Sequence, residues 1–277
     1  MAQPEFSVMT EAQLDAVLDW AAAEGWNPGL GDAAAFHAAD PQGFFLASVD
    51  GQPAAAISVV NQGPEDAFLG LYICRPEFRG QGIGFALWSH ALTHVGTRSV
   101  GLDGVPEQEA NYESSGFVRV GASLRHVGHL PGVAGAGLRD MTEQDLPDLI
   151  ALDAAAGGLT RAAFLASWLG ASPQRATRVL CKDDQIAGFA TWRTCREGTK
   201  IGPIIAPDAD AALTLIADIA AVAPAPLIID IPEANFPLRT ALTAAGFEMT
   251  FSTARMYRGR PPVTTSSLQA IASMELG

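Results

Sequence analysis

The chain has 277 residues, 48% hydrophobic and 17% charged, which supplies apolar material for one or two packed cores and excludes a disulfide-stapled miniature or a disordered chain. With 17 Lys and Arg against 30 Asp and Glu, the formal charge of −13 repels polyanions, so neither nucleic acid nor an anionic membrane is expected as a partner. Cys74, Cys181 and Cys195 form no CxxC pair, so no disulfide framework or metal site is expected; with no basic n-region, apolar h-region or apolar run of about 18 residues, the expected location is cytoplasmic.

In chain order, Met9-Thr10-Glu11 opens an amphipathic stretch with Leu14, Val17 and Leu18 on one face, closing at Gly25, and predicts a helix capped by Thr10. Residues 44–49, a turn at Asp50-Gly51 and residues 54–60 predict a hairpin. Residues 68–74 predict a strand ended by Pro76, followed by a helix whose apolar face is Ile83, Leu87, Ala91 and Leu92. A strand at 99–103, Pro106-Glu107, a short helix ending in Gly116-Phe117 and another strand complete the first half.

The same series then repeats about 130 residues later. Met141-Thr142-Glu143 opens a helix carrying Leu146, Leu149 and Ile150. Residues 179–181 and 187–192 flank Asp183-Asp184, residues 201–205 end at Pro207, residues 227–230 precede Pro232-Glu233, and a helix closes on Gly246-Phe247. Matches in one order at a nearly constant offset point to duplication. The Gly-rich stretch 131–137 is the expected linker, dividing the chain into 1–130 and 131–277, and residues 266–276 could add a last helix or strand.

The copies differ where chemistry is expected. The first has Arg75-Pro76-Glu77-Phe78-Arg79-Gly80-Gln81-Gly82-Ile83-Gly84 between strand and helix; the second has only Ala206-Pro207-Asp208-Ala209-Asp210. Glycines at alternate positions let successive N–H groups converge, and the following helix adds its positive end, which makes a pyrophosphate cradle beside Arg79. A Gly-rich turn used only for its geometry is the alternative. No Lys-Ser or Lys-Thr follows, so a P-loop is excluded; the GxGxxG dinucleotide register puts Phe85 or Leu87 at its last position, leaving Asp103 as a decoy for the ribose acid.

Arg79 to Gly84 resembles the RxxGxG acyl-CoA signature of the GNAT N-acetyltransferase superfamily, and Tyr112-Glu113-Ser114-Ser115-Gly116-Phe117 is similar to that superfamily's YExxGF element. The two motifs cover roughly residues 44–122, and the whole chain resembles bacterial two-domain members whose second GNAT-like domain is degenerate. The resemblance implies an α/β (α+β) architecture of tandem GNAT folds, each a mixed, centrally splayed sheet flanked by helices. It implies acetyl-CoA as co-substrate, with the backbone of Ile73 and Cys74 pairing the pantetheine arm, and Arg79, Gly80, Gln81, Gly82, Ile83 and Gly84 around the pyrophosphate. Tyr112 takes the position of the proton donor to the CoA thiolate; Leu242 stands there in the second copy. Where the family often has a cofactor-facing Asn, this chain has Val105, with Asn111 as a replacement from the next turn and the aligned Asn235 in the second copy.

The implied reaction is direct transfer of an acetyl group to a primary amine of a small molecule. Asp103 is the expected base or amine-orienting acid, with Glu77, His126, His129 and water as alternatives, since no Asp, Glu or His lies on the 68–74 strand. A backbone N–H where pairing of that strand is interrupted would hold the oxyanion. Trp20, Trp26, Trp168 and Trp192 are candidates for a cleft between the halves, and the acidic surface favours a cationic acceptor. The rival reading is an acyl-CoA-binding sensor or scaffold without turnover. Two fused halves can form an internal pseudo-dimer, so the chain is expected to be a monomer or a homodimer.

Overall fold

The computed structural model describes residues 3–277. In the first half the order is β1 (Glu5–Val8), α1 (Glu11–Ala23), α2 (Asp32–Ala39), β2 (Phe44–Val49), β3 (Gln52–Asn61), β4 (Asp66–Cys74), α3 (Ile83–Ala91), β5 (Ser99–Gly104), α4 (Glu109–Ser114) and β6 (Val118–Gly128). The second half repeats it with β7 (Leu138–Asp140), α5 (Leu146–Gly157), α6 (Ala162–Trp168), β8 (Arg175–Lys182), β9 (Gln185–Thr194), β10 (Thr199–Ile205), α7 (Ala209–Ala220), β11 (Leu227–Pro232), α8 (Phe236–Ala244) and β12 (Glu248–Arg258). Residues 266–276 supply a last short strand, β13 (Leu268–Ala270).

Local chemistry sets the element ends. Thr10 and Gln13 form a reciprocal capping box at the start of α1, which buries Leu14, Val17, Leu18 and Ala21. Both hairpin turns have positive φ at their two central residues, Asp50 and Gly51 in one and Asp183 and Asp184 in the other, the geometry that matches strand twist.

The thirteen strands of the described residues belong to one sheet, ordered β1-β2-β3-β4-β5-β12-β6-β11-β10-β9-β8-β7, with β13 pairing β10 off that path. The order is palindromic once each strand is replaced by its counterpart in the other half. It also contains an exchange that no local pattern announces: β12 pairs β5, β6 pairs β11, and the two exchanged strands pair with each other from Glu248↔Val127 to Tyr257↔Val118. Each half therefore completes its sheet with the other's last strand.

Helices α1, α2, α5 and α6 share a core containing Leu14, Phe36, Leu149, Phe164 and Trp168, so both halves contribute to it. Separate cores lie under α3 (Leu87, Trp88) and α7 (Leu215, Ile219). Ion pairs buried between the halves add specificity: Asp32 accepts from Arg175 at 2.7 Å and Arg193 at 3.1 Å, and Arg125 grips Asp230 at 2.8 and 2.9 Å. Such pairs gain little against a hydrophobic replacement, but losing one partner strands a buried charge at a cost of about 3–5 kcal/mol.

Parallel pairing of β4 with β5 runs from Asp66↔Ser99 to Leu69↔Leu102 and then stops. Beyond it Leu71 has φ 48°, and Leu71 and Tyr72 together oppose the single residue Ile57 of β3, a bulge that turns β4 away from β5. The splay leaves a cleft. In the second half the equivalent space is filled from within the chain: β13 pairs β10 at Ile204 and Ile205, and Ile271 N–H donates to the Asp230 carbonyl at 3.0 Å.

Candidate active site

The cleft between β4 and β5 encloses about 520 Å³. One end is the glycine loop. Gly80 and Gly82 have φ of 73° and 79°, a conformation in which a side chain is strained, and a Cβ on either would meet no atom within 4 Å, so the loop is an open concavity. Gly82 is the N-cap of α3 and makes no side-chain cap, which leaves the N–H groups of the first turn directed at that concavity.

Most of the residues singled out in the sequence come together here: Ile73, Cys74, Arg79, Gly80, Gly82, Ile83, Gly84, Asp103 and Tyr112 all line the cleft. Gln81 and Asn111 do not. The Gln81 amide donates back to the Glu77 carbonyl at 3.0 Å, and Asn111 is exposed, its amide on Gln108 Oε1 at 2.8 Å. Val105 and Gln108 occupy the wall that Asn111 was expected to reach. Arg79 is half exposed and already engaged, donating from Nε to the Cys74 carbonyl at 2.8 Å and from Nη2 to Glu24 at 2.6 Å.

Tyr112 lies in the cleft wall with its ring stacked on Trp88 at 5.7 Å and edge-on to Phe117 at 6.4 Å. Burial, together with the neighbouring Tyr72 phenol, pushes its pKa up to about 12, so it is a protonated donor across the physiological range. Burial raises the Tyr72 phenol as well; this second phenol approaches Gly84 so closely that a Cβ there would sit 2.9 Å from its oxygen. Burial also raises the Cys74 thiol, against the pull of Arg79, which keeps it protonated and poorly nucleophilic.

Asp103 sits on the cleft wall with both carboxylate oxygens committed: Arg255 donates to them at 2.9 and 2.7 Å, and the Ser123 hydroxyl donates to Oδ1 at 3.0 Å. Burial raises its carboxyl, and Arg255 and these hydrogen bonds pull it back in part. The other base candidates lie outside the cleft: Glu77 pairs with Arg75 at 2.7 Å, His126 is buried against the Leu124 carbonyl, and His129 is exposed. Of the four tryptophans only Trp26 lines the cleft; Trp168 is fully buried between Arg175 and Arg193, whose guanidinium carbons lie 4.3 and 4.6 Å from its ring centre.

Several cleft residues escaped the sequence reading. Phe251 and Thr253 arrive on the exchanged strand β12, Arg125 on the exchanged strand β6, and Met274 and Glu275 on the segment after β13. Arg125 ties this end together, donating to the Trp26 carbonyl at 3.2 Å and to Met274 Sδ at 3.5 Å while its guanidinium carbon lies 5.6 Å from the Phe251 ring centre. The segment after β13 packs against β4 at Gly70, where a Cβ would fall 2.1 Å from the Glu275 carbonyl oxygen. Tyr72 was legible in principle, standing two residues before Cys74 on the strand already singled out. The others were not, because nothing local links residues 251, 253 and 275 to residue 70.

The second half contains an internal comparison. With Pro207 aligned to Pro76, the residues of β10 that β13 pairs, Ile204 and Ile205, match Ile73 and Cys74. The added strand thus fills the second cleft at the positions that the first leaves open. Among the described residues no His, Cys, Asp and Glu group could hold a metal ion, and no helix is long and apolar enough to cross a membrane.

Comparison with known proteins agrees with this geometry. Residues 10–118 match the "Acetyltransferase (GNAT) family" model, and residues 149–271 match an "Acetyltransferase (GNAT) domain" model. The chain is 38% identical over 266 residues to holothin acyltransferase of Pseudoalteromonas sp. (strain SANK 73390), covering 94% of this chain and 90% of that one. It is 29% identical over 215 residues to the uncharacterized N-acetyltransferase YitH of Bacillus subtilis (strain 168), 76% of each chain. In fold it is similar to a Pyrococcus horikoshii crystal structure (TM-score 0.82, 18% identity, 99% and 96% covered). It is also similar to a tandem GNAT protein from the clavulanic acid biosynthesis pathway (TM-score 0.62, 16% identity, 92% and 98% covered).

Proposed function

The chain belongs to the GNAT acetyltransferase family, as a two-domain acyltransferase, and from that premise we propose that it moves an acetyl group from acetyl-CoA to the amine of a small molecule within one ternary complex. The observation that carries the reading is the open splay of β4 and β5, with a glycine cradle at one end and two phenols beside it, Tyr112 buried and Tyr72 half-buried. The pyrophosphate lies in the Gly80–Gly84 loop on converging N–H groups, and Arg79 shifts from Glu24 to an anion of higher charge. The pantetheine arm runs along Ile73 and Cys74 as an added strand; β13 makes that same pairing on the matching residues of the second half, which supports the assignment.

With the thioester held by these contacts, its carbonyl reaches the Leu71 bulge, where the β3–β4 ladder is interrupted, and a backbone N–H there meets the developing oxyanion. Tyr112 donates to the sulfur as the C–S bond breaks. Asp103, held on both oxygens by Arg255, orients the wall of the cleft. Orientation of two bound substrates supplies on the order of 7–11 kcal/mol of the barrier reduction, so no covalent enzyme intermediate is required.

Holothin, the acceptor that the relative's name gives, is the first to assay. The test follows thiol release from acetyl-CoA with holothin and then a panel of primary amines, with mass spectrometry of the product. N-acetylated product formed only with intact enzyme supports the reading. Tight acetyl-CoA binding without thiol release across the panel would overturn it in favour of a sensor.

A further inference from the structure

Six buried side-chain polar atoms have no hydrogen-bond partner among the described residues, and two of them, Thr253 Oγ1 and Glu275 Oε2, belong to residues that line the cleft. Both residues are only 4% exposed. A buried acceptor or hydroxyl left unpaired costs the fold about 1–3 kcal/mol, so two on residues of one cleft lining call for a partner that the protein does not supply. They share the cleft lining with Trp26, Phe251 and Met274, which supply apolar wall.

We propose that Glu275 and Thr253 are the acceptor subsite: Glu275 receives the amine nitrogen and takes its proton, and Thr253 bonds a second polar group of a compact, flat or apolar amine. The inference rests on the acyl-transfer reading above. The Glu275 backbone packs on Gly70, the residue before the Leu71 bulge, so the carboxylate is anchored beside the point where the thioester carbonyl is expected. Three cations lie within electrostatic reach of Glu275, and each has another partner: Arg125 holds Asp230, Arg193 holds Asp32, and the Lys200 ammonium donates to the Trp26 carbonyl at 3.1 Å. None of them bonds Oε2, which leaves it for an incoming N–H.

In the step, an acceptor arriving as an ammonium leaves one proton in water on entry. The nitrogen lone pair then forms the C–N bond, one N–H proton passes to the Glu275 carboxylate, and the C–S electron pair leaves on sulfur as CoA thiolate beside Tyr112. The proton on Glu275 departs with the products and ends on the thiol. Because Glu275 and Thr253 come from the segment after β13 and from exchanged β12, the second half supplies acceptor recognition to the first half's cofactor cleft.

Three variants of the full chain test this, with acetyl-CoA and the best acceptor from the amine panel. Thr253→Val removes a hydroxyl that has no partner in the fold, so its melting temperature is expected to match or exceed wild type. Its acceptor KM should rise about tenfold with acetyl-CoA KM unchanged. Glu275→Gln should lower acceptor kcat/KM by about a hundredfold, with acetyl-CoA binding intact, and Glu275→Asp should recover part of the loss. An active wild type matched in acceptor kcat/KM by folded Thr253→Val and folded Glu275→Gln overturns the subsite alone. A wild type with no turnover overturns the amine reading and the subsite with it. If Glu275→Gln fails to fold, an unchanged acceptor KM in Thr253→Val is enough to reject the assignment.

Discussion

Replacing Tyr112 by Phe removes one oxygen from a ring that the fold holds by its faces and edges, so packing against Trp88 and Phe117 survives and melting should shift little. The size of the kinetic loss follows from the phenol's environment. With its pKa pushed up to about 12, against roughly 8.5 for a typical thiol, complete proton transfer to a free thiolate is uphill by about 5 kcal/mol. The useful contribution is therefore a charge-assisted hydrogen bond to the sulfur as the C–S bond breaks, worth about 1.5–3 kcal/mol, or roughly a ten- to hundredfold fall in kcat. Single-turnover thiol release at saturating acetyl-CoA reads this directly. Unchanged acetyl-CoA binding with kcat reduced in that range is expected. The wild-type rate should also show no alkaline loss from Tyr112 near pH 10, where an ordinary phenol titrates, because burial moves that limb toward about 12. A kcat within twofold of wild type would refute the role, and a collapse on Tyr72→Phe instead would transfer it to the second phenol.

Other outcomes test separate parts of the molecule. Gly82→Glu places a carboxylate in an open cradle, so acyl-CoA binding measured by calorimetry should be lost while circular dichroism stays native, the strained φ of 79° costing only about 1–2 kcal/mol. Asp230 is raised by burial but held at about 2 by the charge and hydrogen bonds of Arg125, below its ordinary 3.8. Its folded pKa is depressed, so about 2 kcal/mol of stability is present above pH 3.8 and lost as pH falls through 2. Urea unfolding across that window should show a smaller loss in Asp230→Asn, which starts less stable, than in wild type, the difference being about that amount because Asp32 and Asp145 are also held low and still contribute. Cleavage at a protease site placed in residues 132–136 should leave the two fragments co-eluting on size exclusion with activity retained, because β6 and β12 each complete the other fragment's sheet. Fragments that separate under native conditions would contradict that account.

The sequence by itself determined the repeat, the element series and the glycine-loop end of the cleft. Those features are local: alternation and helical spacing follow from which face is buried, Thr10 and Gly25 mark a helix by capping chemistry, and a glycine cradle must be contiguous for its N–H groups to converge. Hence Arg79 to Gly84 and Tyr112 were readable as motifs, and seven of the nine expected cofactor contacts reach the cleft. Gln81 and Asn111 fall outside because a residue's direction within a loop or short helix depends on neighbours such as Glu77 and Gln108. Asp103 lies on the cleft wall, but Arg255, its ion-pair partner, comes from the other half, 152 residues on. The tertiary structure alone decided the strand exchange, the filling of the second cleft by β13, and the delivery of Phe251, Thr253 and Glu275 to the first. These are long-range choices between nearly equivalent partners, since β6 and β12 are both eleven-residue strands that could close either sheet. What selects the exchanged pairing is complementarity that appears only after folding, such as Arg125 meeting Asp230 and Arg255 meeting Asp103 across the halves.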